Sequence, residues 1–168
     1  FNAPIPSLLA TAGLHHHLIR NKLRNGVDII VETGDAREVM HFALLLGYGA
    51  LAINPYLACE SIEYMMNTGL YMNAGEVDKN VGKYLKAANK SMLKTMSKMG
   101  ISTVQSYRGA QIFEAVGLEK SVVDKYFTGT ASRIEGINIT TIEKEVLIRH
   151  KSAYDNMRNA GPDILPTD

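Results

Sequence analysis

The thirty residues from Val27 to Tyr56, VDIIVETGDAREVMHFALLLGYGALAINPY, constrain the fold more than any other part of the chain. Val27, Ile29 and Val31 alternate with Asp28 and Ile30, and the run stops at Thr33-Gly34, which predicts a short strand over 27–32. Asp35 then stands where a helix N-cap is expected. Val39, Phe42, Ala43 and Leu46 follow at helical spacing, predicting a helix over 36–46 that Gly47 and Gly49 close. Leu51, Ala52 and Ile53 form a second apolar run, too short for a helix, and predict a strand over 50–54. Two parallel strands joined by a crossover helix is the economical arrangement.

Around this βαβ unit the chain reads mostly as helix. Pro4 and Pro6 hold the start extended, and Ser7 is the expected cap of a helix running to Arg24. Helices are expected over 55–67 and 76–99. A third strand is expected over 101–105, ISTVQ, then helices over AQIFEAVG (110–117), over 119–127, and from a cap at Thr140 or Thr141 to Asn159. The whole is expected to be an α/β fold of parallel β-α-β units, as an open sheet or an incomplete (β/α) barrel, since three or four strands cannot enclose a barrel core unaided. Residues 1–160 are expected to form a single domain, with 161–168 a linker-like tail. The start at Phe1 and the Gly-Pro-Asp-Ile-Leu-Pro end suggest part of a longer protein.

Composition narrows the function classes. At 46% hydrophobic and 21% charged residues, with a net charge of +1, the chain has no basic excess to draw nucleic acid or an anionic membrane. No apolar run is long enough to span a bilayer, and a cytoplasmic location is the expectation. Cys59 stands alone, which excludes an internal disulfide and an iron–sulfur cluster held by cysteines of these residues.

No catalytic residue and no metal ligand set is assigned. The run His15-His16-His17 suggests a metal, but successive residues on a helix point about 100° apart and do not converge on one ion. One histidine is expected to pack against the sheet, with the others facing solvent or a neighbouring domain. Cys59 reads as a small buried apolar residue. Lys79, Lys83, Lys86, Lys90, Lys94 and Lys98 form a stripe that is either a solvated face or a surface for an acidic partner.

Two loops are candidate anion sites. Arg108 and Gly109 follow the expected third strand, at the end where α/β folds bind ligands, although Arg108 paired within the fold reads as well. Gly34 follows the first strand, in a pattern similar to the last quarter of a phosphate-binding barrel, but Glu32 and Asp35 flank it and would repel phosphate. His41, Glu32, Glu38 and Arg37 read as a salt-bridged surface. Thr128 to Arg133 reads as a hydroxyl-rich loop.

Four blocks go beyond generic pattern. PIPSLLATA with HHHLIR, VETGDAREVMHFALLLGYGA with INPYLA, MSKMGISTVQSYRGAQIFEAVGL, and FTGTASRIEGI together resemble the large chain of glutamate synthase, in the family's order and over nearly the whole sequence. The resemblance implies the later half of the central domain, just before the FMN-binding barrel. It further implies a parent enzyme that hydrolyses glutamine in an amidotransferase domain, passes ammonia internally, and reduces 2-iminoglutarate at an FMN barrel with an iron–sulfur cluster.

On that resemblance the chain is a scaffold and ammonia-channelling segment, non-catalytic in isolation. Its partners are the neighbouring glutaminase and FMN-barrel domains, with a homo-oligomer a further possibility. The family's nucleophile is an N-terminal cysteine, whereas Phe1 stands first here, and no FMN-binding residue falls on these positions, so no cofactor is expected in this chain. Cys59 departs from the family where an aromatic is expected. The alternative is a stand-alone flavin- or phosphate-ligand-binding module with Thr33 to Arg37 and Ser106 to Gly109 as its anion loops.

Overall fold

The computed structural model describes residues 3–70 and 76–157, with side chains to residue 154. It begins with helix α1 (Ser7–Arg20), a 3-10 turn (Arg24–Gly26) and strand β1 (Ile29–Glu32). Helix α2 (Val39–Gly47) then crosses over to strand β2 (Ala50–Asn54). The two strands are parallel, with Ile30 opposite Ala52 and Val31 opposite Ile53, as the alternation requires. Ile29 and Val31 point into the core, and Ile30 and Glu32 point out.

The helix ends differ from expectation for identifiable reasons. Asp35 does not cap α2; its Oδ2 accepts the backbone N–H of Ser7, the first residue of α1, at 3.1 Å. Ser7 is therefore capped rather than capping. The start of α2 shifts to Val39, where His41 Nδ1 accepts the N–H groups of Arg37 and Glu38, each at 3.1 Å. The histidine of the expected surface cluster is thus a helix cap. At its other end α1 stops at Arg20 rather than Arg24, because Lys22 adopts φ 60° and the N–H groups of Leu23 and Lys22 return to the carbonyls of Leu18 and Ile19. That is a Schellman closure with lysine in the place glycine usually takes.

Helices α3 (Tyr56–Asn67) and α4 (Val77–Lys98) lie where the periodicity puts them. The strand expected over 101–105 does not form. Gly100, at φ +70°, ends α4 in a second Schellman closure, with Ile101 N–H on the Met96 carbonyl, and Ile101 folds back against the core. Thr103 Oγ1 then accepts the Ser106 N–H at 3.2 Å and starts a one-turn helix, α5 (Val104–Tyr107). Local capping thus takes up the β-branched run.

The expected helix over 110–117 is also replaced, by strand β3 (Glu114–Leu118). Gln111, at φ 54°, turns the chain out of helical geometry before it. Helix α6 (Lys120–Tyr126) follows, close to its expected place, and strand β4 (Ala131–Ile137) takes over the second half of what reads as a hydroxyl-rich loop. β3 and β4 are parallel, with Val116 opposite Ile134 and two irregularities in the register. At Gly136 a Cβ would lie 2.4 Å from the Gly117 carbonyl oxygen, so this pairing needs glycine there. Asn138, not Thr140 or Thr141, caps helix α7 (Ile139–Met157), accepting the Thr141 N–H at 2.9 Å. The expected end at Asn159 and the tail over 161–168 lie outside the described residues.

The architecture is α/β: two separate two-stranded parallel sheets, each built on one βαβ unit, with no closed barrel among the described residues. The first core joins Ile29, Val31, Phe42, Leu45, Met92 and Met96 with Tyr107, whose hydroxyl donates to the Ala43 carbonyl at 3.3 Å. The second core is smaller and joins Ala12, Val122, Val123 and Phe127. Leu8 of α1 touches both. Tyr48 also belongs to the seam: its ring stacks on Phe113, meets Phe127 edge-on, and its hydroxyl lies 2.7 Å from Thr130 Oγ1. Each sheet keeps one apolar face open, with Ile30 71%, Val116 65% and Ile134 61% exposed.

Candidate functional site

The candidate residues Gly34 and Arg108 lie at opposite ends of β1 and do not form one site. Gly34 follows the strand and is covered by α3: a Cβ there would sit 3.1 Å from Leu57 Cδ2. Arg108 reaches Asp28, just before the strand, with Nη1 3.1 Å from Oδ1. Asp28 and Gly34 are six residues apart in the sequence, roughly 20 Å along an extended chain.

The backbone donors of both loops are largely spent inside the fold. Asp35 N–H donates to Thr33 Oγ1 at 3.0 Å, and the Arg37 and Glu38 N–H groups go to His41. In the other loop Ser106 N–H is held by Thr103, Arg108 N–H by the Val104 carbonyl at 3.0 Å, and Gly109 N–H by the Gly47 carbonyl at 2.8 Å. In that second loop what remains for an anion is the Arg108 side chain.

That side chain belongs to a polar cluster. Arg24, from the 3-10 turn, donates through Nε to His15 Nδ1 at 3.1 Å, through Nη2 to the Gly49 carbonyl at 2.9 Å, and through Nη1 to the Val27 carbonyl. Arg24 Nη1 also lies 3.8 Å from the Asp28 oxygen that Arg108 uses. Burial, reinforced by His16, Arg24 and Arg108, lowers the His15 pKa from 6.5 to about 4, so the ring is neutral near pH 7. With Nδ1 accepting from Arg24, the ring proton sits on Nε2. His15, Arg24, Asn25, Asp28, Gln105 and Arg108 line an open cleft of about 540 Å³.

The other histidines divide differently from expectation. His15 packs beside Gly49 at the start of β2, but His16 is also drawn inside, its ring 5.1 Å from that of His15. Its Nε2 is buried, and its ring borders a cavity of about 90 Å³ with Tyr48, Gln111, Phe113 and Thr130. His17 stays beside Asn21 on the outer side of α1. Among the described residues no three His, Cys, Asp or Glu side chains are grouped to hold a metal ion.

Comparison with known proteins decides the family. The profile described as glutamate synthase central domain matches residues 1–119. The chain belongs to the glutamate synthase central domain family. The NADPH glutamate synthase large chain of Bacillus subtilis (strain 168) is 56% identical over 153 residues, covering 91% of this chain and 10% of that protein. The NADH glutamate synthase of Saccharomyces cerevisiae is 45% identical over 166 residues, covering 95% and 8%. Ferredoxin-dependent glutamate synthase 2 of a Synechocystis strain is 42% identical over 161 residues, covering 91% and 10%. The chain spans about a tenth of the length of these relatives.

Within the central-domain segment the remaining sequence candidates fall into place. Cys59 is half-buried in α3, and burial, with Glu60 nearby, pushes its thiol pKa up, away from a reactive thiolate. The six lysines of α4 are all exposed along its outer side. No helix among the described residues is long and apolar enough to cross a membrane. The cluster members that the sequence reading passed over are Arg24, Asp28 and the role of His15. Their one signal was the four-residue spacing of Arg24 and Asp28, which carries no weight across an Asn-Gly turn.

Proposed function

We propose that these residues are a scaffold and ammonia-channelling segment of a cytoplasmic glutamate synthase, whose full chain converts glutamine, 2-oxoglutarate and reductant into two glutamates. The observation that carries the scaffold reading is the pair of parallel two-stranded sheets with open apolar faces. Parallel strands are stable where both faces are covered, and Ile30, Val116 and Ile134 call for neighbours that the described residues do not supply. The neighbouring glutaminase and FMN-barrel domains, with the rest of the central domain, are the proposed covering. The channelling role rests on the family relationship alone.

The FMN and the iron–sulfur cluster of such an enzyme are assigned to other parts of the chain. FMN needs a cradle for its phosphate, and the two candidate loops do not fit that need: in the Arg108 loop the backbone donors are held by Thr103, Val104 and Gly47, and in the Gly34 loop those of Asp35 and Arg37 are held by Thr33 and His41 while the carboxylates of Glu32 and Asp35 repel phosphate. A cysteine-held cluster needs several thiolates, and Cys59 is single. The relatives are named for NADPH, NADH and ferredoxin, yet all contain this segment, so choice of electron donor is assigned elsewhere as well.

The test is a titration of the purified chain with FMN, followed by flavin fluorescence, beside a glutaminase assay. Unquenched flavin and no glutamine hydrolysis are expected. Saturable micromolar quenching would overturn the scaffold reading in favour of a flavin module.

A further inference from the structure

We propose that the cleft at Arg108 is an oxyanion site that takes a carboxylate or phosphate group. The inference does not depend on the glutamate synthase reading; it follows from charge and donor counting. Among the described residues Arg24 and Arg108 share a single counter-ion, Asp28 Oδ1, at 3.8 and 3.1 Å. The two guanidinium side chains are sheltered, at 16% and 17% exposure, whereas the carboxylate between them is 54% exposed. The more buried partners are therefore the ones left with charge in excess, and a sheltered cation draws an anion to it. His15 faces both guanidiniums and is neutral near pH 7, so it neither cancels nor adds to this balance.

The two arginines are not equivalent. Arg24 spends its fork on His15, Val27 and Gly49 and acts as a strut between α1, the turn and β2. Among the described residues Arg108 has Asp28 as its side-chain hydrogen-bond partner, through Nη1, which leaves the other donors of its fork available. A planar fork with free donors suits carboxylate or phosphate oxygens. Asn25 and Gln105 stand on the same walls with neutral amide donors, and 540 Å³ is ample for a phosphate or a small dicarboxylate. The same chemistry has two sources: a free small anion, or an Asp or Glu side chain from another part of a full-length protein.

The test uses inorganic phosphate and then acetate, titrated at constant ionic strength against chloride. Amide shifts of Asp28 and Gly109 and the Arg108 Nε–H signal are followed by NMR on the purified chain. Saturable millimolar binding is expected, weakened at least fivefold in Arg108→Gln and also weakened in Arg108→Lys, which keeps the charge without the fork. Asp28→Asn should tighten binding about fivefold by removing the competing carboxylate. That gain is the decisive sign, because a cluster that is only structural would lose stability in this variant and gain no affinity. Linear shifts that are equal in all variants, or an Asp28→Asn protein that is folded and no tighter, would overturn the site. In a full-length enzyme carrying this segment, retained phosphate binding supports a free ligand, and a site silent to phosphate beside a binding-competent isolated chain supports an internal carboxylate.

Discussion

The two βαβ units have the same topology and opposite packing. In the first, alternate residues of β1 are buried, and α2 and α4 together close one face of the sheet with Phe42, Leu45, Met92 and Met96. In the second, β4 is exposed at every position from Ala131 to Gly136, and α6 contributes little beyond Val122 and Val123. Parallel pairing alone therefore says little about stability. What separates the units is how much apolar surface the covering helices remove from water.

The largest expected effects come from emptying each core in turn. Phe42→Ala and Phe127→Ala each remove a buried ring and should cost roughly 3–5 kcal/mol. The comparison predicts different consequences: Phe42→Ala lowers the stability of the whole chain, whereas Phe127→Ala opens the second unit first. Denaturant melts together with hydrogen exchange by segment would show this. Equal, global loss of protection in both variants would mean that the units fold as one.

Next come two glycines that touch different things. Gly136→Ala drives a methyl against the Gly117 carbonyl, a backbone atom that cannot move without breaking the β3–β4 pairing, and should cost about 3 kcal/mol. Gly47→Ala drives a methyl to 2.5 Å from Phe113 Cε2, a ring edge that can rotate, and should cost about 1 kcal/mol. Thermal melts of the pair order them, and the reverse order would contradict the tight approach of β3 and β4.

The last test is that of pH at the seam. Burial and nearby positive charge hold His15 near 4, and burial and Arg20 lower His16 as well. The unfolded chain therefore binds protons more readily between about pH 6.5 and 4. The contribution is full above 6.5 and is lost as the pH falls toward 4. The melting temperature should drop over that window, and His15→Gln should flatten part of the drop. A melting temperature that rises on acidification would contradict the buried, neutral ring.

The same contrast explains what the sequence could disclose. The first unit was legible because burial writes itself into sequence: Ile29 and Val31 alternate with outward residues, and Phe42, Ala43 and Leu46 repeat at helical spacing. The second was not, because β4 carries Ser132, Arg133, Glu135 and Gly136 with no buried face to impose a pattern. Ile112, Phe113, Ala115 and Val116 instead match a helical repeat, which the positive φ of Gln111 breaks. Ile101 to Gln105 misled in the opposite direction, with strand composition used for a helix stop and a Thr103 cap. At the candidate site Arg108 was legible as a cation at a turn. Its partners Asp28 and His15 come from 80 and 93 residues away, and only the fold brings them together.

The most direct test of the scaffold account is hydrogen exchange of this segment, alone and within a full-length glutamate synthase that carries it. The account predicts that β1 is equally protected in both, while amides of β3 and β4 around Val116 and Ile134 gain strong protection in the full-length protein. Equal exchange of β3 and β4 in the two settings would contradict it, because the open faces would then have no neighbour to meet.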